Sequence, residues 1–309
     1  MEDKQLKVFV IVVTYKGMQW YDHCFTSLRN SSIPIQTIVV DNASGDGTAE
    51  YIKENYPEIL FVESKENLGF GKGNNLALKY AYEHGCDYVF LLNQDAWLYE
   101  NDTIEKLVEV AQRHPEYGIL SPMHKCADKE ALNMMLEYGS NTYSMRLLSD
   151  LYCCCVNDIY ETNYVNAAAW LLPRETISNL GGFDPLFFHY GEDDDYLNRA
   201  KYHKIKIGII PSTIIIHDHN PGESSEFSRK LARQASYDNL SDLLNLNKPF
   251  NYHSLRRYLL RKYIKALLNR NRESRIYFRD RMAYVKRMRH GVENSRDKNK
   301  IKQPNWIEF

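Results

Sequence analysis

The sequence predicts a doubly wound α/β fold, and three observations carry that expectation. Short β-branched runs recur at residues 7–15, 35–42 and 59–63, each too short to be read as a helix. Each is followed by a polar or glycine-bearing loop and then a helical stretch, giving three strand–loop–helix units before residue 85. A fourth apolar run over residues 88–92 stops abruptly in Asn93-Gln94-Asp95. In an open α/β sheet, ligands bind beyond the C-terminal ends of the strands, so polar groups placed straight after a buried strand are candidates for holding a metal or a phosphate. The plain alternative is a strand end followed by an Asx-turn.

In order, residues 7–15 form a continuous β-branched run opening at Thr14-Tyr15, the pattern of a central parallel strand. A helix is expected over residues 18–30. The second run ends in Asp41-Asn42, and the tight turn 43–48 leads to a helix over 49–55, capped by Asp46 or Thr48. After the third run comes Asn67-Leu-Gly69-Phe-Gly71-Lys-Gly73-Asn74-Asn75, read as a glycine-rich loop feeding a helix over 76–83. A helix over 103–114 and a fifth strand over 118–122 follow. Residues 124–165 show no clean period and read as irregular or antiparallel. A strand over 164–173 and a short helix over 175–180 end at Gly181-Gly182. The aromatic loop 183–191 then meets four acids, Glu192-Asp193-Asp194-Asp195, at the start of a helix to about residue 203. A helix dipole favours acids there; their mutual repulsion is easier to understand beside a substrate or cation. Two short strands, 205–211 and 213–217, close the unit at His217-Asp218-His219.

Length and composition set the frame. A chain of 309 residues accommodates one large α/β domain or a core with an appendage, and 44% apolar content with 23 Tyr fits a packed core. The net charge of -1 conceals a split: residues 1–223 carry 18 Lys+Arg against 32 Asp+Glu, while residues 224–309 carry 21 against 8. The expected division is therefore a domain at 1–222 and a basic helical extension at 223–309, whose partner is negatively charged. In the extension, Leu255, Leu259, Ile264, Leu267 and Leu268 keep helical spacing among Arg256, Arg257, Arg261, Lys262 and Lys265. A solvated charged face and a surface that meets anionic lipid are the two readings. Residues 274–290 are similarly basic and helical, and the end from Glu293 reads as loosely ordered. Six cysteines show no CxxC pair and no zinc-site spacing, which fits reduced thiols in the cytoplasm. No run approaches the ~20 apolar residues of a membrane span, so membrane association is expected only as peripheral attachment at the inner face of the cytoplasmic membrane.

Six motifs in order resemble the family 2 glycosyltransferases, inverting enzymes of the GT-A fold, over roughly residues 7–219. They are Val-Val-Thr14-Tyr15, Val-Val-Asp41-Asn42-Ala-Ser-Gly-Asp-Gly-Thr48, the Asn67–Asn75 stretch, Leu-Asn93-Gln94-Asp95, Gly181-Gly182-Phe183-Asp184 and Tyr-Gly191-Glu192-Asp193-Asp194-Asp195. A strand ending in His217 completes the set. Within the family the pattern looks most like enzymes of bacterial surface-polysaccharide synthesis, rhamnosyltransferases included. The resemblance implies a GT-A, Rossmann-like mixed sheet and a nucleotide pocket at Thr14, Tyr15, Asp41 and Asn42, bordered by Asn67, Gly69, Gly71 and Asn74. Asn93-Gln94-Asp95 matches the family's Asp-x-Asp motif, with Asp95 as metal ligand, and Asn93 is a departure that donates less charge to a cation. His217 fits the second ligand, favoured over His219 because it directly follows the apolar run; Mn²⁺ or Mg²⁺ is the implied cofactor.

Asp193 matches the family's catalytic base. A sugar hydroxyl that attacks an anomeric carbon must lose its proton as the bond to the nucleotide diphosphate breaks, which calls for a carboxylate within hydrogen-bond reach. Glu192, Asp194 and Asp195 are left to orient, hydrogen-bond or cap the helix. Trp170, Phe187, Phe188 and Tyr190 offer flat faces for a sugar or lipid-linked acceptor, with core packing the expected role of at least half of them. The implied partners are a nucleotide-diphosphate sugar and a glycan or lipid-linked acceptor, with an anionic membrane surface for the basic helices and no nucleic acid. Two rivals rank lower. A sugar-nucleotide pyrophosphorylase would want a basic glycine-rich loop near the N-terminus, where Thr14-Tyr15-Lys16 supplies one lysine; a non-catalytic nucleotide-sugar-binding module would not need Asp95, Asp193 and His217.

Overall fold

A computed structural model describes residues 6–128, 131–132, 145–218 and 239–306. In chain order the elements begin with β1 (Val8–Thr14), a 3₁₀ turn at Met18–Trp20, α1 (Tyr21–Arg29), β2 (Ile35–Asp41), α2 (Thr48–Asn55), β3 (Leu60–Glu63) and α3 (Gly69–Glu83). β4 (Tyr88–Asn93), β5 (Ala96–Leu98), α4 (Thr103–Arg113), β6 (Tyr117–Lys125), α5 (Met145–Tyr152), β7 (Tyr160–Glu161) and β8 (Ala169–Pro173) follow. The chain continues through α6 (Arg174–Leu180), α7 (Glu192–Tyr202), β9 (Lys206–His217), α8 (Leu240–Leu244), α9 (Tyr252–Leu268) and α10 (Arg272–Asn299). The nine strands form one mixed sheet in the order β3-β2-β1-β4-β8-β6-β9-β5, with β7 on β9. β1 pairs in parallel with β2 and β4, whereas β8 runs antiparallel to both β4 and β6.

Side chains alternate across a strand, so β1 serves two cores. Phe9 and Ile11 join Val89, Leu91 and Trp170 beneath α3, α6 and α7, while Val8, Val10 and Val12 join Phe90, Leu92 and Leu171 beneath α1 and α4. Both faces are covered, which is why these strands read as unbroken apolar runs.

Four expectations need correction. The glycine-bearing stretch 69–75 is not a loop but the first two turns of α3. Small residues are needed there because the helix lies directly on its neighbours: a Cβ on Gly73 would stand 2.9 Å from Val13 Cγ1. Lys206–His217 forms one strand, β9, where two were expected. Pro211 is tolerated because the β6–β9 ladder shifts register between Pro122 and Met123, leaving the missing N–H without a ladder position. The sequence carries no strand signal at residues 96–98, where the three-residue β5 forms. The stretch beyond Glu293 is helical to Asn299, with Val292, Ser295 and Asn299 buried.

The basic extension is welded to the α/β unit. Phe187 of the aromatic loop is buried with Leu240, Leu243, Leu244, Tyr252, Leu259, Tyr284, Val285 and Val292. Ser295 donates a hydrogen bond to Asp184, the Gly182 amide donates to Asn305 O at 2.8 Å, and the Gln303 amide donates to Asn179 O at 3.1 Å. The expected boundary at 222/223 lies outside the described residues, as does His219. Among the described residues no helix is long and apolar enough to cross a membrane.

Candidate active site

The C-terminal ends of β1, β2 and β4 carry the first group of side chains. Thr14 Oγ1 donates to Asp41 Oδ1 at 2.9 Å, Ser44 Oγ donates to the same oxygen at 2.5 Å, and the Ser44 amide donates to Oδ2 at 2.9 Å. Buried Asp41 therefore shapes the turn after β2, and Oδ2 keeps spare acceptor capacity. Asn42 is bound at both ends of its amide: Nδ2 donates to Gly69 O at 3.1 Å, and Oδ1 accepts from the Leu68 amide at 3.3 Å. Asn67 Oδ1 accepts from the Gly69 amide, and Asn74 Nδ2 donates to Phe70 O one turn back. The side chains of Asn42, Asn67 and Asn74 are thus engaged in building the wall of this edge, while Tyr15 stands exposed above it. Gly71 lies inside that wall, where a Cβ would meet Phe183 Cβ at 2.9 Å.

Gln94, which was quoted in a motif but given no role, clamps the β1 loop. Its Oε1 accepts from the Tyr15 amide at 2.9 Å and its Nε2 donates to Tyr15 O at 3.1 Å. Asn93 closes β4, and its amide donates to Ala168 O at 2.9 Å, which ties this edge to the strand entering β8.

β5 decides the next feature. It pairs antiparallel with the end of β9, Ala96 opposite His217, and the Asp218 amide donates to Asp95 O at 2.8 Å. That pairing brings Asp95 Oδ1 within 3.5 Å of His217 Nε2 although 122 residues separate them in sequence. Two donors each about 2.1 Å from one octahedral cation lie about 3.0 Å apart, so a small side-chain adjustment lets this pair share a divalent ion. A carboxylate with an imidazole is a donor set suited to Mn²⁺ as well as Mg²⁺. Among the described residues no third His, Cys, Asp or Glu joins them. His124 escaped sequence analysis because the strand was expected to stop at residue 122. It is fully buried, its ring stands at 89° to that of His217 with centroids 5.9 Å apart, and Ser121 Oγ lies 3.2 Å from its Nε2. Burial, with a smaller contribution from His217, pushes His124 down to about 3, so it is neutral at physiological pH. Trp20 Nε1 donates to Asp218 Oδ2 at 2.8 Å and holds the same corner.

The four acids that open α7 divide their roles. Asp195 is buried and pairs with Arg199 at 2.8 Å, whose other nitrogens donate to Leu180 O and Gly182 O. Asp195 is therefore structural. Asp193 Oδ1 accepts from the Asp194 amide at 2.9 Å, and the Tyr164 side chain is near enough to act on its carboxyl. Burial and then the Asp194 charge push Asp193 up to about 6. Glu192 is 4% exposed, and among the described residues its Oε2 has no hydrogen-bond partner. Burial and then Asp193 push it up to about 8, so it is largely protonated at neutral pH.

The segment 164–168 spans from Tyr164 on Asp193 to Ala168 on Asn93, and a Cβ on Gly69 would stand 1.9 Å from Phe188 O. The α7 entrance thus flanks the strand edge through residues 164–168 on one side and α3 on another. Trp170 and Phe187 are buried, and Trp170 stacks on Phe183 with centroids 6.3 Å apart, so neither offers a face to an acceptor. Phe188 is exposed, and Tyr190 lies at φ 69° immediately before Gly191 at φ 93°. Two successive residues at positive φ make the sharp corner that delivers α7, and Tyr190, as a non-glycine residue, is strained there.

Residues 9–160 match the model of glycosyl transferase family 2. The chain is 22% identical over 266 residues to the N-acetylglucosaminyl-diphospho-decaprenol L-rhamnosyltransferase of Mycobacterium tuberculosis, with 75% of this chain and 83% of that protein covered. It is 24% identical over 289 residues to the rhamnosyltransferase WbbL of Escherichia coli, covering 87% and 99% respectively. Among solved structures, the mannosyltransferase PcManGT from Pyrobaculum calidifontis, in complex with GDP-Man and Mn²⁺, aligns with a TM-score of 0.54 at 16% identity, covering 96% of this chain and 74% of that one. At that identity the likeness concerns the fold.

Proposed function

The chain carries a glycosyl transferase family 2 domain over residues 9–160, and from that premise we propose a metal-dependent inverting transfer of a hexose-type sugar from a nucleoside-diphosphate donor to a lipid-linked or glycan acceptor. The single observation that carries the reading is the pairing of β5 with β9, which sets Asp95 Oδ1 3.5 Å from His217 Nε2 at the ligand edge of the sheet. The name of one relative, an N-acetylglucosaminyl-diphospho-decaprenol L-rhamnosyltransferase, supports a lipid-linked acceptor, and with such an acceptor the proposed place of work is the inner face of the cytoplasmic membrane.

The division of labour follows from the chemistry. Thr14, Tyr15, Asp41 and Asn42, with the wall formed by Asn67, Gly69, Gly71 and Asn74, border the nucleotide. Asp95 and His217 are the residues that would hold a divalent cation, Mn²⁺ or Mg²⁺, with Asn93 as the neutral member of the same motif; such a cation would supply positive charge to the departing diphosphate. Asp193 takes the proton from the attacking acceptor hydroxyl. A carboxyl raised to about 6 is still ionised at neutral pH, yet it is a stronger base than an ordinary aspartate. Direct attack by the acceptor inverts the anomeric centre in one displacement, so no enzyme nucleophile is required.

A thermal-shift panel of UDP, dTDP, GDP and CMP with and without Mn²⁺ tests the donor class. One nucleotide is expected to raise Tm, more strongly with the metal present. Asp193→Asn is expected to keep that shift and to lose at least about 100-fold in transfer rate. An absence of any nucleotide shift, or transfer by Asp193→Asn at the wild-type rate, overturns the reading.

A further inference from the structure

Helix α9 carries two separate apolar stripes. Leu259 and Ala266 are buried, and Leu255 packs against the C-terminal core. At roughly 100° per residue, Leu260, Ile264, Leu267 and Leu268 fall together on another side of the helix. They stand 47%, 47%, 42% and 79% exposed, a contiguous aliphatic strip in water. The same helical geometry sets Arg257 within that arc and Arg256 and Arg261 at its edges, with Lys262 and Lys265 farther round.

The helix from Tyr252 to Leu268 contains no Asp or Glu. Among the described residues no carboxylate pairs with any of its five Lys and Arg side chains; Arg257 reaches Ser254 Oγ at 3.4 Å, and Lys262 lies over the Tyr258 ring. Charge is thus left uncompensated around hydrocarbon that is left unburied. A water-facing helix would favour polar groups in place of the leucines, and a phosphate-binding helix has no use for an aliphatic strip.

We propose that this face of α9 is a docking surface for a bilayer carrying anionic headgroups, with Leu260, Ile264, Leu267 and Leu268 seated at the headgroup–acyl boundary and Arg256, Arg257 and Arg261 on lipid phosphates. An amphipathic helix with basic residues flanking its apolar face lies in the membrane plane in this way. A second copy of the chain is the weaker occupant. A two-fold contact through this face would bring two uncompensated arginine sets together, and like charges oppose that contact. The surface deepens the membrane-side reading of function, yet its evidence is confined to α9 and is independent of the sugar-transfer site.

Flotation with vesicles of phosphatidylcholine alone or with about one-third phosphatidylglycerol tests the surface, using the full chain. Binding to the anionic vesicles is expected, weakening as NaCl rises from about 0.1 to 0.5 M. A triple Arg256→Gln, Arg257→Gln, Arg261→Gln variant is expected to bind about 100-fold more weakly, at about fivefold per basic residue near an anionic surface. A triple Leu260→Ser, Ile264→Ser, Leu267→Ser variant is expected to lose binding at all salt concentrations. These side chains are exposed, so both variants should keep the wild-type Tm and nucleotide response. Equal binding to neutral vesicles, no binding by the wild type, or unchanged binding by either variant overturns the proposal. So does a concentration-dependent dimer that the serine variant abolishes. A failed nucleotide panel with intact flotation would instead count against the transferase reading alone.

Discussion

Glu192 and Asp193 are neighbouring carboxyls with opposite consequences for pH. With Asp193 as base, kcat/KM should fall with acid through an apparent pKa of about 6, because protonation removes the acceptor site for the hydroxyl proton. A profile flat from pH 5 to 8 would exclude that role. For Glu192 the folded-state value of about 8 lies above the ordinary value of 4.5, so the folded protein binds this proton more tightly than the unfolded chain does. Its stabilising contribution is complete at acid pH and lost as pH rises toward 8. Glu192→Gln is therefore expected to raise the unfolding free energy at pH 8 by on the order of 1 kcal/mol or more, and to change it little near pH 4.5, as read by chemical denaturation. A change of equal size at both pH values would contradict the burial argument. At the proposed metal pair, Asp95→Asn should weaken Mn²⁺-dependent nucleotide binding and leave metal-free binding nearly unchanged, as read by titration calorimetry. Asp95, Asp193 and His217 are singled out by the motifs that contain them; the protonation of Glu192 is not written there, since desolvation depends on packing around it.

Among the elements, α3 shows how a correct position can carry a wrong conformation. Glycines at 69, 71 and 73 favour a loop by local propensity, yet they are where a helix must approach β1 and Phe183 closely. Gly73→Ala should gain up to about 1 kcal/mol of helix propensity but push against Val13, with a net loss of about 1–2 kcal/mol in chemical denaturation. A stabilised variant would show that Val13 yields. Gln94→Ala should release the Tyr15 backbone and lower donor affinity more than it lowers Tm, since the lost bonds hold a loop and not the core. β5 and the far half of β6 escaped sequence analysis for different reasons. Three residues are too few for a period, and residues 123–125 follow a proline that reads as a stop.

At the scale of the whole molecule, the charge split sets the C-terminal stretch apart in sequence, while its attachment depends on tertiary contacts. We propose that it serves as a buttress as well as a docking element: Phe187, Asp184 and Gly182, all on the loop that leads to Asp193, are held by the last three helices and the segment behind them. Arg296 is the anchor, donating to Leu243 O at 3.1 Å, Asn245 O at 2.6 Å and Lys248 O at 2.8 Å from a buried position. Arg296→Met should cost about 2–4 kcal/mol, because three carbonyls lose a charged donor. A chain ending at residue 238 should lose transfer and aggregate, whereas a soluble, active fragment would show that the α/β unit stands alone.

What the amino-acid order determined by itself was the strand–helix alternation, the polar groups at strand ends, and the partition of charge, because each is written in local periodicity and composition. The tertiary structure alone decided that β5 would draw Asp95 against His217, that Arg199 would take Asp195 as its partner and leave Asp193 to Tyr164, and that polar anchors such as Ser295 and Arg296 would order α10. These outcomes depend on contacts between residues far apart in the chain and on the removal of water from particular carboxyls, neither of which a one-dimensional pattern contains.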